Sequence, residues 1–287
     1  YEYPENGTGT SPALSFARRL HDRLVVPIGI IPTAVGGTPL SEWNPEEKGG
    51  CYRAMEKRLR VVGAFKGFIW LQGCSDCTAE CAGNYLERFS RMVSLWNEHF
   101  GAHPVLTVQL NRWMGNEDPM NNRYWGMIRE AQRRAALEIP GVYVVSSLDL
   151  SVTDGIHNSS GANVTIGERL ANAALAYLYD KPGQRSVCIL SAEAVDDTHV
   201  LLHLTPGHKV LAMDGRAMGM NVEDTDGLVD CIEAAPVPDG LLVSTTRPYR
   251  LPAQFHYAWR THPPVFAARD FYDQPLLACY GIEITAK

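Results

Sequence analysis

Apolar residues fall along this chain in two textures. Up to about residue 180, near-continuous apolar runs alternate with segments whose apolar positions recur every three or four residues. The runs LVVPIGIIPTAV (24–35), AFKGFIWLQ (64–72), HPVLTVQLN (103–111) and GVYVVSSLDL (141–150) predict four buried strands. A strand is apolar throughout, not alternately, when both faces of its sheet are covered, as in parallel sheets flanked by helices. Between the runs, Tyr85, Phe89, Met92, Val93, Trp96 and Phe100 share one face of a predicted helix over 84–100. Ile166, Leu170, Ala173, Ala174, Tyr177 and Leu178 do the same over 162–178. This alternation predicts an α/β fold with an open parallel sheet and right-handed crossovers.

The texture changes at Lys181-Pro182-Gly183. Short strand-like runs follow (VCILSAEAV, HVLLHLT, GLLVSTT, FHYAW and LLACYGIEI), punctuated by Gly, Pro and Asp. They predict an antiparallel β unit of sandwich type. The expected division is therefore 1–182 and 183–287.

Composition narrows the function classes. With 287 residues, a core can form without disulfide staples. Lys and Arg number 26 against 32 Asp and Glu, a net charge of −6 that disfavours a nucleic-acid partner. No apolar run reaches the roughly 18 residues of a membrane span, so no membrane partner is expected. The seven cysteines are an odd number, read as reduced thiols in a reducing, cytoplasmic compartment. No cofactor is expected.

In open α/β sheets, sites form where strands end. The four predicted strands run into Gly36-Gly37-Thr38, Gln72-Gly73-Cys74-Ser75-Asp76, Asn111-Arg112-Trp113 and Asp154-Gly155-Ile156-His157. A carboxylate three residues before a histidine can hold its Nδ1–H and leave Nε2 as a base for a hydroxyl nucleophile. The same spacing also occurs in ordinary surface loops. Gly36-Gly37 can turn the chain and offer a bare backbone N–H to an anion, or be a plain turn. Arg112 and Trp113 are candidates for touching substrate. Cys74, Cys77 and Cys81 read as reduced thiols, a disulfide pair, or metal ligands completed by Cys51 or a histidine. His199, His203 and His208 read as a β face before a ligand set. Tyr257, Trp259, Phe271 and Tyr272 read mainly as core, with a sugar-stacking rim as the alternative.

Taken in order, these blocks resemble the SGNH/GDSL-type esterases, in particular the sialate O-acetylesterase-like carbohydrate esterases. The likeness runs through GTGTSPALSFARRL (7–20), PIGIIPTAVGGTPLSEW (27–43), GFIWLQGCSD (67–76), REAQ (129–132), DGIHNSSGANVTIGERLA (154–171) and the 255–278 stretch. The resemblance implies a flavodoxin-like three-layer domain that removes O-acetyl groups from an acetylated sugar through an acyl-serine. It implies His157 as general base, Asp154 as its orienting partner, and the Gly37 N–H and Gln72 at or near the oxyanion pocket. Two departures stand out. The family's glutamate after Gln-Gly is Cys74 here. Its nucleophile block, a Gly-x-Ser after an apolar run, has no counterpart upstream of Gly36. The serine is therefore expected on an N-terminal segment outside this chain, completing the sheet. A non-catalytic glycan-binding relative, or a local Ser75 or Ser11, are the alternatives.

Overall fold

The computed structural model describes residues 10–115, 118–207, 210–211, 215–264, 268–270 and 274–286. Its first helix, α1 (Pro12–Leu24), begins within the 7–20 block and opens on a capped turn. The Ser11 hydroxyl accepts the Ala13 N–H at 3.1 Å, Pro12 occupies the first turn, and Val25 ends the helix in the left-handed conformation. Four more helices follow among the described residues: α2 (Gly50–Val62), α3 (Tyr85–Phe100), α4 (Pro119–Glu138) and α5 (Ser160–Leu178).

Three of the predicted strands form: β1 (Phe68–Trp70), β2 (Val105–Val108) and β3 (Val142–Val145). They pair in parallel in that order, with Phe68 opposite Val105 and Val105 opposite Val142. Leu106, Val108 and Val145 face α1 and α5, packing on Phe16, Leu20, Ile166 and Leu170. Trp70, Val105 and Val142 face the other helices, packing with Phe89, Trp96 and Ile128. The continuous apolar runs thus reflect helices on both faces.

The first predicted strand, 24–35, does not form. Residues 27–35 belong to no strand, and Val25, Val26 and Ile30 are exposed. No backbone N–H from 26 to 38 donates to a described backbone carbonyl. An apolar run becomes a strand only when a neighbour supplies the ladder. Here β1, at the end of the sheet, also has no partner on its outer edge among the described residues. Pro27 and Pro32 further remove two donors.

Beyond α5 come β4 (Ile189–Ala194), β5 (His199–Leu204), β6 (Val210–Leu211), β7 (Met220–Asp224), β8 (Gly227–Val237), β9 (Gly240–Thr245), β10 (Gln254–Tyr257), β11 (Arg269–Asp270) and β12 (Cys279–Thr285). The expected sandwich is instead a closed barrel in the order β10-β12-β4-β5-β9-β8-β7, with β6 and β11 as a separate pair. Pairing is antiparallel except between β12 and β4. Closure follows from β7 pairing with β10, which removes both free edges. The sequence reading missed β7 and β8, whose acidic residues interrupt the apolar texture. The inward positions of β8, Val229, Cys231 and Ala234, do alternate, but a register shift between Cys231 and Glu233 breaks the period.

The barrel is bonded to the α/β part through backbone groups. Gln109, just past β2, donates to the Ala278 carbonyl (3.0 Å) and accepts the Ala278 N–H (2.8 Å). Arg133 on α4 donates to the Ile189 carbonyl at 2.7 Å.

The crossing of α1 and α5 depends on Gly167. A Cβ there would overlap the Ser15 hydroxyl and the Pro12 carbonyl oxygen, and would lie 2.8 Å from the Phe16 nitrogen. Gly167→Ala is expected to cost about 1–3 kcal/mol, read as a lower Tm by circular dichroism. Ser15→Ala should not rescue it, because the remaining clashes are with backbone.

Candidate active site

The loop after β3 folds as a small hairpin. Val152 bridges Asn158, and the Thr153 N–H donates to the His157 carbonyl at 2.9 Å. Gly155 turns it with φ +92°, where a side chain would be strained. At the tip, Asp154 Oδ1 accepts the His157 N–H (2.9 Å) and the Ile156 N–H (3.3 Å). Asp154 Oδ2 lies 2.7 Å from His157 Nδ1. This bond places the proton of neutral imidazole on Nδ1 and leaves the Nε2 lone pair available. The His157 backbone N–H, then its ring, hold the Asp154 carboxyl down at about 2. The His157 side chain is 78% exposed.

That local geometry is not unique to this loop. Asp196-x-x-His199, in the β4–β5 turn, makes the same Nδ1 bond at 2.9 Å, and its carboxyl is likewise held down at about 2, first by the Thr198 N–H. Position distinguishes the first pair: its loop follows the three-stranded parallel sheet and is bonded to the loop after β2. The root of its loop is braced by Asp149, which takes two Arg169 bonds of 2.7 Å and a third from Arg269.

The loop after β2 meets the His157 loop directly. Asn111 Nδ2 donates to Asn158 (2.6 Å), Arg112 donates to the Leu150 carbonyl (2.8 Å), and the Met114 N–H donates to the Gly155 carbonyl (2.7 Å). Trp113 is half-buried, its ring stacked on Trp125 at 5.4 Å and its backbone N–H donating to the Thr261 carbonyl. Arg112, Asn111, Leu71, Cys74, Ser147 and Ile156 help to line a cleft of about 30 Å³ at the carboxyl ends of the three strands. The Arg112 Nε is buried without a protein partner.

The Gln72 amide has a bracing job. Its Nε2 donates to Asp76 (2.6 Å) and to the Thr38 carbonyl (3.2 Å), while its Oε1 accepts the Tyr85 hydroxyl (2.9 Å). Both amide protons are therefore committed, and Gln72 holds the Gly36-Gly37-Thr38 turn to the end of β1. Gly37 itself has φ +71° and open space where a Cβ would be. The acidic residue of this block is Asp76, fully buried, accepting the Leu40 N–H (2.8 Å), Gln72 and Arg88 (3.3 Å). Asp76 stands two residues after the Cys74 that replaces the family's glutamate, and it anchors residues 38–40. Sequence reasoning gave it no role, although the Gln-Gly-x-x-Asp spacing was visible.

Structure joins Asp154 to His157, Gln72 to the Gly37 turn, and Arg112 to the His157 loop; it describes no contact between His157 and Gly37. Cys51, Cys74, Cys77 and Cys81 are unpaired thiols, and no group of three or more potential metal ligands occurs among the described residues. His199 pairs with Asp196, and His203 with Glu193 at 3.5 Å. Tyr257 and Trp259 are core residues. His208, Phe271 and Tyr272 lie outside the described residues. No described helix is long and apolar enough to cross a membrane.

Residues 2–176 match the carbohydrate esterase, sialic acid-specific acetylesterase family. The chain belongs to that family. Carbohydrate acetylesterases, the class that the family name describes, are carboxylic ester hydrolases. An Arabidopsis thaliana protein named a probable carbohydrate esterase is 29% identical over 180 residues, 58% of this chain and 64% of that protein. The chain therefore spans just under two-thirds of that relative. A crystal structure of a carbohydrate acetylesterase from Xanthomonas citri superposes with a TM-score of 0.81 at 23% identity, over 93% of this chain and 64% of the other. The Arabidopsis protein's structure gives 0.51 at 26% identity, over 60% and 71%. The Xanthomonas likeness shows a shared fold that extends through the barrel.

Two expectations follow. Asp76→Ala removes the acceptor of two buried donors and is expected to cost about 1–3 kcal/mol for each; Asp76→Asn, which keeps an oxygen, should lose less in urea unfolding. Asp154 should titrate near 2 by carboxyl-carbon NMR. Because its folded value is lowered, its support of the loop is complete above the ordinary carboxylate range. That support is lost as pH falls from about 4 through 2.

Proposed function

We propose that this protein is a carbohydrate O-acetylesterase in which His157 is the general base and Asp154 orients it. The nucleophilic serine, in this reading, lies on a polypeptide strand that seats along the open edge of β1. The observation that carries it is the bonded Asp154–His157 pair in the loop after β3, with Nδ1 engaged and the imidazole largely exposed. The matched family supports the reaction class.

The chemistry follows the geometry. His157 Nε2 takes the serine proton as the oxygen attacks the acetyl carbonyl. The Gly37 N–H, on the turn that Gln72 fixes, faces the developing oxyanion. Protonated His157 then hands the proton to the departing sugar oxygen, leaving an acetyl-serine. Water, deprotonated by the same imidazole, releases acetate. Asp154 stays ionised throughout and stabilises the imidazolium, in keeping with its low pKa. Arg112 and Trp113 contact the sugar.

The fold in this reading is the flavodoxin-like three-layer hydrolase over 1–182, with 183–287 as its β unit. Two unpaired edges support the seated strand: the outer edge of β1 and the extended stretch 28–35. Filling the gap would satisfy backbone groups worth about 1–3 kcal/mol each when buried and unpaired. Thr10 also bonds to Ser160 (2.5 Å) and accepts from Asn163 (2.6 Å), so the chain entering α1 runs beside the first turn of α5, the helix that follows the His157 loop.

Residues 1–287 alone are expected to release no acetate from O-acetylated sugars. With a serine-bearing strand present, acetate release should appear and fall by several orders of magnitude on His157→Ala. Full turnover by residues 1–287 alone would place the nucleophile within them. Saturable sugar binding without acetate release, strand present, would make the protein a glycan-binding relative.

A further inference from the structure

The turn Cys74–Asp76 sets two thiols three residues apart at the cleft. It is a 3-10 turn, closed by the Cys77 N–H on the Cys74 carbonyl at 3.3 Å. In such a turn residues i and i+3 eclipse one another, and three residues advance only about 6 Å. That spacing lies within the Cα separation a disulfide can bridge. Cys74 reaches the surface as a residue and lines the cleft, with its sulfur packed into the wall, whereas Cys77 is half-buried, its thiol donating to the Gly73 carbonyl at 3.5 Å. Both are reduced, and the ester chemistry uses neither.

We propose that Cys74 and Cys77 are a peroxide-oxidisable dithiol, with Cys74 the attacking and Cys77 the resolving thiol. In the first step the Cys74 thiolate displaces hydroxide from hydrogen peroxide, giving a sulfenic acid and, with the thiol proton, one water. In the second the Cys77 sulfur attacks the Cys74 sulfur, its proton leaves with the sulfenic oxygen as a second water, and the S–S bond forms. Two thiols are oxidised and one peroxide is reduced. A small oxidant suits a cleft that holds little more than a water molecule.

Burial sets the kinetics. Desolvation pushes the Cys74 thiol up to about 11 and the Cys77 thiol up as well, against the opposing pull of the buried Arg129 cation. Thiolate is scarce at neutral pH, so oxidation is slow there and quickens about tenfold per pH unit. The same desolvation withholds the thiolate stabilisation that keeps strongly oxidising pairs reduced, so the disulfide persists once formed. Cys74 forms part of the cleft wall, so the bond would reshape the site.

The test treats the folded protein with hydrogen peroxide, alkylates the remaining thiols, and maps the peptides by mass spectrometry. The expected result is loss of two alkylatable thiols, at Cys74 and Cys77, joined in a disulfide that dithiothreitol reverses. With Cys77→Ser, a sulfenic acid should persist on Cys74 and be trapped by dimedone. Three results would overturn the proposal: both thiols stay alkylatable at alkaline pH while a free cysteine peptide oxidises; Cys74 joins Cys81 instead; or Cys74 advances to sulfinic acid while Cys77 remains a free thiol. Each readout is independent of esterase activity.

Discussion

One buried cation holds the molecule's parts in register. Arg129, on α4, is fully buried and donates to the carbonyls of Leu110, Asn111, Ala258, Arg260 and Thr261. Those carbonyls belong to the end of β2 and to the chain leaving β10 in the barrel. A guanidinium offers five N–H donors in a rigid fork, which suits several converging carbonyls. Burial lowers its pKa to about 9, so it still carries its charge at neutral pH. Withdrawing the cation would remove a donor from five carbonyls, of which Asn111 and Thr261 keep one from Trp125 and Trp113, at the point where the α/β part, the barrel and the cleft meet.

From that junction the site is assembled in short steps. The Asn111 backbone accepts from Arg129 and from Trp125, while its side chain reaches the His157 loop. Gln132, one helical turn along α4, donates to the Gln72 carbonyl and accepts the Leu110 N–H. A single helix face thus fixes the ends of β1 and β2 relative to each other. The His157 loop is held from one side by Asn111 and Arg112, and from the other by Asp149 and Arg169. An exposed dyad can be well placed without being buried, because its loop is tied at both ends.

Much of this was legible in the sequence, and particular residues show why. The runs at 64–72, 103–111 and 141–150 contain real strands because burial on both faces leaves a continuous apolar signature. Asp154 and His157 were identifiable because their bond closes within one turn of chain. Arg129, Asp76 and Gln109 could be seen only as residues in passing, since their partners lie 4 to 169 positions away. The REAQ block contains Arg129 and Gln132, yet nothing local reveals that both face the junction of sheet and barrel.

The sequence by itself determined the helices over 84–100 and 162–178, the three parallel strands, the order of the loop motifs and the Asp154–His157 pair. These are local interactions, set by side-chain periodicity and by hydrogen bonds that close within a few residues. Only the tertiary structure decided that 24–35 has no strand partner among the described residues, that the β unit closes as a barrel, and that Gln72 braces a turn with both amide protons engaged. A backbone edge or an amide proton finds its partner in three dimensions, and no pattern along the chain encodes which group will be there.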